Sequence, residues 1–170
     1  DDPVARYLPD FAQNGKAAIT IRHLLTHYSG LAPDLDLSTP WTGKNEAIQR
    51  AMTAAPQAPA GQHFVYSDIN FIVLGLLVER FSGLPPDIYA SNSILKPIGM
   101  RHSGFLPSDS LRPVIAPTQY DENHVPLRGV VHDPTARRMG GVAGHAGLFS
   151  DASALALYAA SLLDRLAGRR

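Results

Sequence analysis

The sequence predicts a mainly α-helical single domain, spanning residues 1–170, with a small β ribbon. Three observations favour this fold class. Several segments before Pro107, and the C-terminal segment, repeat apolar side chains at helical spacing. Between Pro107 and Gly141 that spacing disappears, and two short extended stretches flank a polar turn. With 170 residues and 45% hydrophobic content, the chain can form one core but has little room for two.

The charge balance and the missing residue types exclude several classes of function. Fifteen Lys and Arg residues balance fifteen Asp and Glu residues without any long basic cluster, so we expect no nucleic-acid partner. The absence of cysteine excludes disulfides, thiolate zinc sites and a cysteine nucleophile. No apolar run approaches the roughly 18 residues that a membrane span needs. We therefore expect no span, and no feature of the sequence calls for a cofactor.

Two helices are predicted in the first third of the chain. The first follows Thr20, a favourable N-cap residue, and ends at Gly30. The second covers Lys44–Ala55 and is stopped by Pro56 and Pro59. The apolar face of the first helix consists of Ile21, Leu24, Leu25 and Tyr28.

The third predicted helix contains the most apolar stretch of the chain. The segment 71–78 is apolar on every face, which predicts a helix surrounded by protein. Ser67 or Asp68 can cap its first N–H groups, and the helix closes at Ser82 and Gly83. A weaker helix follows from Pro86 and ends before Pro97.

The remaining segments predict a ribbon, a glycine-rich loop and a last helix. Val114–Tyr120 and Pro126–Val131 can pair across the polar turn at 121–124, which includes Glu122. In the last helix Ser150 is the predicted cap and Asp151 lies in the first turn. The clustered glycines before it are Gly140, Gly141, Gly144 and Gly147. One face of the last helix, which runs to Arg170, consists of Leu155, Tyr158, Leu162 and Leu166.

Tyr66 is the candidate functional residue that the local pattern indicates most directly. It precedes the buried helix, where the positive end of the helix dipole would lower the cost of a phenolate. A tyrosine in that position can act as a base. The alternative is that Tyr66 packs as an N-terminal staple with its hydroxyl bonded to the backbone.

Six groups of residues along the chain carry a family resemblance. They are Asp2-Pro3-Val4 with Tyr7-Leu8-Pro9, Ile21-Arg22-His23-Leu24-Leu25-Thr26-His27 with Ser29-Gly30-Leu31, Pro59-Ala60-Gly61, Tyr66-Ser67-Asp68, Pro97-Ile98-Gly99-Met100 and Gly144-His145-Ala146-Gly147-Leu148-Phe149-Ser150. In this order the chain resembles the serine β-lactamase-like family, which includes class C β-lactamases, DD-peptidases and related esterases. The resemblance implies the helical lobe of that α/β fold, without most of its antiparallel sheet.

The resemblance also implies a chemistry. Enzymes of that family use a Ser-x-x-Lys pair, a tyrosine in a Tyr-x-Asn element and a Lys-Thr-Gly or His-x-Gly strand. The serine attacks an acyl carbon, Lys and Tyr handle its proton, and N–H groups stabilise the oxyanion. The implied function is therefore part of a serine hydrolase that forms an acyl-enzyme on β-lactam, peptide or ester substrates, in a periplasmic or extracellular setting.

Carried over by position, the resemblance implies a set of site residues. Tyr66 and Asp68 are the implied catalytic residues. His145 is a further candidate because its sequence is similar to the His-x-Gly element, although its place before the last helix matches the family's glycine-rich loop. Ser67 and Gly144 are the implied substrate-binding residues. Asp68 stands where asparagine is usual, and its carboxylate offers only acceptors and a negative charge. It would hold the family's lysine more strongly and raise the pKa of that lysine.

The family's other catalytic elements do not appear at their expected places. Its Ser-x-x-Lys helix precedes the segment at Asp2, and its third element follows the last helix. We therefore expect N- and C-terminal segments outside these residues to supply them, and the isolated chain to be inactive with an exposed apolar patch. Ser93 and Lys96 form a literal Ser-x-x-Lys, but it follows Tyr66 and is interpreted as an exposed helix end.

Three further interpretations stay open at this point. His132 is interpreted as a loop organiser, and the glycines around His145 as backbone packing near the floor of the site. His23 and His27 would share one face of the first helix, but two ligands are not a site, so we expect no metal. The alternative function is a non-catalytic helical binding or interaction module.

Overall fold

The computed structural model describes residues 1–121 and 123–169. The predicted turn residue Glu122 and the terminal Arg170 lie outside the described residues. The helices are α1 (Ile21–Leu25), α2 (Lys44–Thr53), α3 (Asp68–Ser82), α4 (Pro86–Ala90), α5 (Pro134–Arg138) and α6 (Ala152–Leu166). The strands β1 (Gln119–Tyr120) and β2 (Pro126–Leu127) pair in an antiparallel ribbon. The expected mainly helical fold with a small ribbon is confirmed.

Helix α3 is the central element, and it contacts α1, α2 and α4. Its buried positions contribute to the main hydrophobic core together with Val4, Phe11, Ile19, Leu24 and Leu31. The apolar run is not enclosed on every face, because several of its side chains are only partly buried. The partly buried positions are Phe71, Leu74, Leu76 and Val78. Phe71, Leu74 and Val78 share one side of α3, which therefore remains near the surface, whereas Leu76 points away from that side.

The start of α3 differs from the sequence expectation. Ser67 occupies the N-cap position, but its side chain does not cap the helix. Its hydroxyl donates instead to the carbonyl of Ala32 at 2.6 Å, so the serine joins α3 to the loop at residues 31–42. Asp68 is the first helical residue. The end of α3 is as predicted, with Gly83 in the left-handed conformation.

Helix α1 is shorter than its apolar spacing predicts. Thr20 forms a reciprocal capping box with His23, as its hydroxyl accepts from the His23 N–H and its own N–H donates to the His23 Nδ1. The helix ends at Leu25, well before Gly30. Gly30 has a different role, because a Cβ there would lie 2.0 Å from the carbonyl oxygen of Ala58. Close backbone approach, not helix termination, requires this glycine.

Several short elements were missed or misplaced by the sequence patterns. The ribbon is much shorter than predicted, and the segment between Pro107 and Gly141 contains α5 and a 3₁₀ turn at Asp109–Val114. The weaker helix continues beyond α4 as a π-helical turn, Ser91–Leu95. Two further 3₁₀ turns are Val4–Arg6 and Pro9–Ala12. In each of these elements the run is too short for apolar periodicity to reveal it.

Helix α6 leaves most of its apolar side chains exposed. Asp151, not Ser150, is its N-cap, since the Asp151 carboxylate accepts from the Ala154 N–H at 2.7 Å. Ala154 packs in a small second cluster with Leu95 and Met100. The exposed apolar side chains are Leu155, Leu157, Tyr158, Leu162, Leu163 and Leu166. The predicted face is thus a surface of this chain, in agreement with the expected apolar patch.

A membrane span needs a helix that is both long and apolar. Within the described residues, no single helix combines sufficient length with sufficient apolar character. The helical segments Asp68–Ser82 and Pro86–Leu95 have sufficient length and apolar character only when they are taken together, and they are bent by 70° relative to each other.

Lys16 is a fully buried cation whose ionisation should shape the stability of the fold. Its ammonium donates to the carbonyls of Gln13 and Ala54 at 3.0 and 2.6 Å and lies 5.2 Å from the centre of the Phe11 ring. The Ala54 carbonyl follows the last residue of α2, where the helix dipole favours a cation. Burial nevertheless lowers the pKa of Lys16 from its usual 10.5.

We expect the wild type to become more stable relative to Lys16→Met as the pH rises. Between the lowered folded pKa and the unfolded value of 10.5, the unfolded chain binds the additional proton. The free energy of unfolding of the wild type therefore rises across that window. Urea unfolding of both proteins at several pH values measures the difference. Lys96→Met is the matched control, because Lys96 is exposed, and a pH-independent difference for Lys16→Met would contradict the prediction.

Candidate active site

Tyr66 lies two positions before the first residue of α3, and 61% of the residue is exposed to solvent. Its ring stacks on the imidazole of His27, with the ring centres 4.6 Å apart and the planes 28° from parallel. The phenol is therefore supported on one face and open to solvent elsewhere. Among the described residues the Tyr66 hydroxyl has no hydrogen bond to backbone, so that part of the staple alternative is not found, and the charge that acts on it most strongly is that of Asp68.

The electrostatic surroundings of Tyr66 oppose the phenolate that the helix position suggested. The charge of Asp68 raises the pKa of Tyr66, and partial burial and the charge of Asp133 act in the same direction. A full carboxylate charge outweighs the partial charge of a helix terminus. The expectation of a stabilised phenolate is thus wrong for these residues, and Tyr66 is a protonated phenol over a wider pH range than usual.

Asp68 belongs to a cluster with Asp133 and His145, assembled from three separate segments. A nitrogen of His145 and carboxylate oxygens of the two aspartates all lie within 4.8 Å of one another. The Nε2 of His145 is 2.9 Å from Oδ1 of Asp133. The same oxygen accepts the Ala136 N–H at 2.6 Å, so Asp133 also caps α5. The histidine side chain is only 2% exposed.

The two aspartates of this cluster are shifted in opposite directions. Burial raises the pKa of Asp68, the charges of Asp133 and Asp34 add to that effect, and His145 and Tyr66 oppose it. Burial alone would also raise the pKa of Asp133, but hydrogen bonds from His145 and Ala136 and nearby histidine charge lower it. Asp133 is thereby held as the carboxylate partner of His145, and Asp68 becomes the stronger base of the two.

The other predicted site residues have clear but different placements. Ser67 is fully buried, with its hydroxyl donated to Ala32, so its side chain serves the fold. Gly144 is exposed, yet its backbone approaches α3 very closely at Phe71. His132 is exposed, and the loop-organising contacts come from its neighbour Asp133.

The literal Ser-x-x-Lys lies on the surface, in the π-helical turn and just after it. Ser93 and Lys96 are both exposed, and the Lys96 ammonium donates to the Asn92 side chain at 2.9 Å. This agrees with the expected exposed helix end.

His23 and His27, the two histidines four positions apart, do not share a helix face. His27 lies beyond the end of α1, with a positive φ of 60°, and its Nδ1 accepts the Ser67 N–H. The Nδ1 of His23 accepts the Thr20 N–H. Of the residues that the structure describes, the group with metal-like spacing is Asp68, Asp133 and His145. The His145–Asp133 hydrogen bond accounts for the approach of two of its three members.

Sequence reasoning missed two residues of the site, Asp133 and His27. For Asp133 a signal was present, because Asp followed by Pro134 is a favourable N-cap and first helical position. For His27 no local signal existed, since its partners lie about 40 positions along the chain. A groove of about 920 Å³ between the Pro9–Ala12 turn, α2 and α3 includes none of the site residues.

One family model matches the whole length of the chain. The model described as Beta-lactamase matches residues 1–170. The chain belongs to the β-lactamase family. The resemblance drawn from the ordered motifs is therefore confirmed, and hydrolase is the general class of this family's members.

Two curated relatives show how much of a β-lactamase family protein the chain represents. In an alignment 192 positions long, it is 32% identical to a protein of Escherichia coli K12 named "Putative D-alanyl-D-alanine carboxypeptidase". A Salmonella agona protein of the same name is 31% identical over 193 residues. Each alignment covers 96% of this chain but 44% of the relative. The chain spans less than half the length of the curated relatives it matches.

Solved structures of the β-lactamase family share the fold of the chain. A class C β-lactamase superposes with a TM-score of 0.72 at 21% identity, covering 93% of this chain and 41% of the other. A penicillin-binding protein homologue from Caulobacter crescentus superposes with a TM-score of 0.70 at 23% identity. The superposition covers 95% of this chain and 48% of the homologue. The expected helical lobe of this α/β fold is confirmed by these superpositions, which again cover under half of each neighbour.

For this β-lactamase family chain we expect Asp68→Asn to lower the pKa of Tyr66 toward its ordinary value of 10.0, because it removes the largest cause of the upward shift. The measurement is the absorbance titration of tyrosinate, taken as the difference from the same protein with Tyr66→Phe. Asp10→Asn is the control, since Asp10 is exposed and is not among the groups that shift Tyr66. An unchanged Tyr66 titration in Asp68→Asn would contradict the assigned cause.

The same substitution should also raise stability near neutral pH. A carboxyl group whose folded pKa is raised stabilises the fold below its unfolded value of 3.8, and this contribution is lost as the pH rises through the folded pKa. Asp68→Asn removes that loss. Its free energy of unfolding should exceed that of the wild type at pH 7, and the gap should shrink toward pH 3.8. If the stability difference between Asp68→Asn and the wild type grows as the pH falls, the raised pKa of Asp68 is not its cause.

Proposed function

We propose that this chain forms the tyrosine-bearing half of a serine hydrolase site that acts through an acyl-enzyme on amide or ester bonds. The observation that carries the proposal is the exposed Tyr66 phenol, placed at the start of α3 with its hydroxyl beside the Asp68 carboxylate. A phenol so placed can accept a proton from one side while donating its own to the other.

Tyr66 and Asp68 then act as a proton relay. As the serine oxygen bonds to the acyl carbon, its proton passes to the Tyr66 oxygen and the Tyr66 proton passes to Asp68. When the C–N or C–O bond to the leaving group breaks, the proton returns through Tyr66 to the departing atom. Water releases the acyl group by the same path. The raised pKa of Asp68 makes it a better acceptor than an ordinary aspartate.

His145 and Asp133 complete the arrangement as neighbours of Asp68. Asp133 fixes the orientation of the His145 ring through the 2.9 Å hydrogen bond. The charge of His145 opposes the rise in the pKa of Asp68. His145 thus limits the rise in the basicity of Asp68, and it takes no part in the proposed relay. The exposed backbone of Gly144 remains available for substrate, whereas Ser67, being buried, is left out of the proposal.

The nucleophilic serine and its lysine are proposed to lie outside these 170 residues. Two observations support this. Ser93 and Lys96 sit on an exposed turn, with Lys96 bonded to Asn92. The curated relatives are more than twice as long as the part that this chain matches. The names of the relatives include a D-alanyl-D-alanine carboxypeptidase and those of the structural neighbours a class C β-lactamase, so D-alanyl peptides and β-lactams are the proposed substrate classes.

Covalent labelling tests the proposal. The complete gene product and the 170-residue chain are each incubated with a fluorescent penicillin and with a fluorophosphonate. We expect a labelled serine in the complete gene product and none in the chain alone. A labelled serine within the chain would contradict the location of the nucleophile. If neither probe labels the complete gene product, the hydrolase proposal fails and the non-catalytic binding module, which the exposed apolar face of α6 would serve, is favoured.

A further inference from the structure

His27 contacts the proposed catalytic tyrosine face to face, within a group of aromatic rings. Its imidazole stacks on Tyr66 at 4.6 Å, and the rings of Phe71 and Phe64 lie 5.2 and 5.7 Å away. Phe64 meets the imidazole at 71°, close to an edge-to-face arrangement. We propose that His27 is a positioning residue that fixes the Tyr66 phenol for proton transfer, an inference that rests on the proposed function.

The backbone around Tyr66 is also held by His27, on both sides of the tyrosine. The Val65 N–H donates to the His27 carbonyl at 2.9 Å. The Ser67 N–H donates to the His27 Nδ1 at 3.0 Å. Because a backbone N–H can only donate, Nδ1 must carry a lone pair, and the ring proton of the neutral imidazole lies on Nε2. One residue therefore fixes the main chain before and after Tyr66 as well as the face of its ring.

The imidazole is itself supported from the core side. The Nδ2 of Asn70, a fully buried residue of α3, lies 3.4 Å from the His27 Nδ1. The Ser29 hydroxyl donates to Oδ1 of the same asparagine at 2.5 Å, and Ser29 is buried as well. Side chains within such a satisfied buried network have few alternative orientations. The orientation of the histidine ring is thus set by the core, and the histidine transmits it to the exposed phenol.

The backbone of His27 adopts a conformation that the fold must stabilise. Its φ of 60° lies in the left-handed region, which is uncommon for residues other than glycine. Such a conformation is unfavourable on its own and persists where surrounding contacts determine it. Here the reversal directs the imidazole toward Tyr66 and directs the His27 carbonyl toward the Val65 N–H. An ordinary helical continuation after α1 would provide neither contact.

A positioning function has a measurable size. An exposed tyrosine without support changes rotamer on the picosecond to nanosecond timescale. A displacement of about 1 Å at a reacting group can cost about 10²-fold in rate. Loss of His27 should therefore lower the acylation rate constant of the complete gene product by about 10–100-fold. The KM for substrate should change little, because His27 contacts the tyrosine and not the substrate.

Two substitutions separate the ring contact from the hydrogen bond. His27→Phe retains an aromatic face but has no acceptor for the Ser67 N–H, so hydrogen exchange of that amide should accelerate at least tenfold. His27→Asn suits the left-handed backbone and keeps an acceptor, but it has no ring to stack on Tyr66. In this variant the tyrosine ring resonances of Tyr66 should lose the shift caused by stacking. Both readouts are taken by NMR on the complete gene product and do not depend on activity.

The decisive test is a double-mutant cycle in single-turnover acylation. If His27 acts through Tyr66, His27→Asn slows the wild type but adds little loss when Tyr66→Phe is already present. His23→Asn is the matched control, because it removes another histidine that accepts a backbone N–H, away from the tyrosine. It should leave the acylation rate within about twofold of the wild type.

The outcomes of the cycle are distinguishable. Fully additive losses for His27→Asn and Tyr66→Phe, or unchanged exchange of the Ser67 amide in His27→Phe, overturn the positioning inference while the proposed function stands. Normal acylation by Tyr66→Phe overturns the proton relay of the proposed function, on which this inference rests. Non-additive losses together with the predicted amide exchange support both.

Discussion

Replacing Tyr66 by phenylalanine in the complete gene product should slow formation of the acyl-enzyme by about 10²–10⁴-fold, the usual contribution of a positioned acid or base. The substitution removes one oxygen and leaves the stacked ring on His27 in place. Without that oxygen the serine proton has no route to Asp68. Single-turnover acylation of a chromogenic β-lactam or ester measures the step directly.

The loss should be confined to chemistry. Because 61% of Tyr66 is exposed and its hydroxyl lies at the surface, Tyr66→Phe should change the free energy of unfolding by less than about 0.5 kcal/mol. Tyr28→Phe is the matched control, since Tyr28 is a partly exposed phenol whose ring lies 6.1 Å from Phe64, outside the proposed relay. It should acylate normally. A Tyr66→Phe enzyme that acylates at the wild-type rate would exclude the proton relay.

The main helices were predictable because each carries its own signal. Helix α3 has a continuous apolar run and a closing Gly83, and α2 has regular spacing followed by prolines. The first turn of α1 was predictable from Thr20. These features depend on residues within one or two turns, so a sequence pattern can detect them. The short helix α5 and the two-residue strands contain too few residues to show any period.

The candidate site residues came from the family resemblance, and Tyr66 also from its place before a predicted helix. Tyr66, Asp68 and His145 came from ordered motifs, but nothing in the sequence predicted that His145 would meet Asp68 through Asp133. The placement of His145 and Asp133 beside Asp68 depends on two loops that fold against the start of α3. The helix-dipole argument for Tyr66 failed for the same reason, because a nearby carboxylate dominates a local backbone effect.

The contact that brings His145 to Asp68 involves two glycines. A Cβ on Gly144 would lie 1.9 Å from the carbonyl oxygen of Phe71 and 3.0 Å from the N atom of Gly75. In an α-helix those two groups are hydrogen-bonded to each other. Gly75 lies seven positions after Asp68, two turns along the same face of α3. The loop before His145 therefore rests directly on the backbone of the helix that carries Asp68.

Gly144→Ala should consequently destabilise the fold more than a methyl group added at either Gly75 or Gly104. The alanine methyl must either break the Phe71–Gly75 hydrogen bond or displace the loop, and overpacking of this kind costs about 1–3 kcal/mol or more. Urea unfolding measures the loss. Displacement of the loop should also move His145 away from Asp68, which the histidine ring resonances report.

The Gly75 and Gly104 substitutions calibrate the Gly144→Ala result. Gly104→Ala is the control, because no atom lies within 4 Å of the added methyl, and its effect should stay within about 0.5 kcal/mol. Gly75→Ala meets the Gly144 Cα at 3.1 Å, a contact that a small shift relieves, and alanine favours the helix by roughly 1 kcal/mol. The free energy of unfolding lost in Gly75→Ala should lie between the losses in Gly104→Ala and Gly144→Ala. If Gly144→Ala unfolds at the same urea concentration as Gly104→Ala, the loop does not depend on this contact, and the placement of His145 beside Asp68 must have another cause.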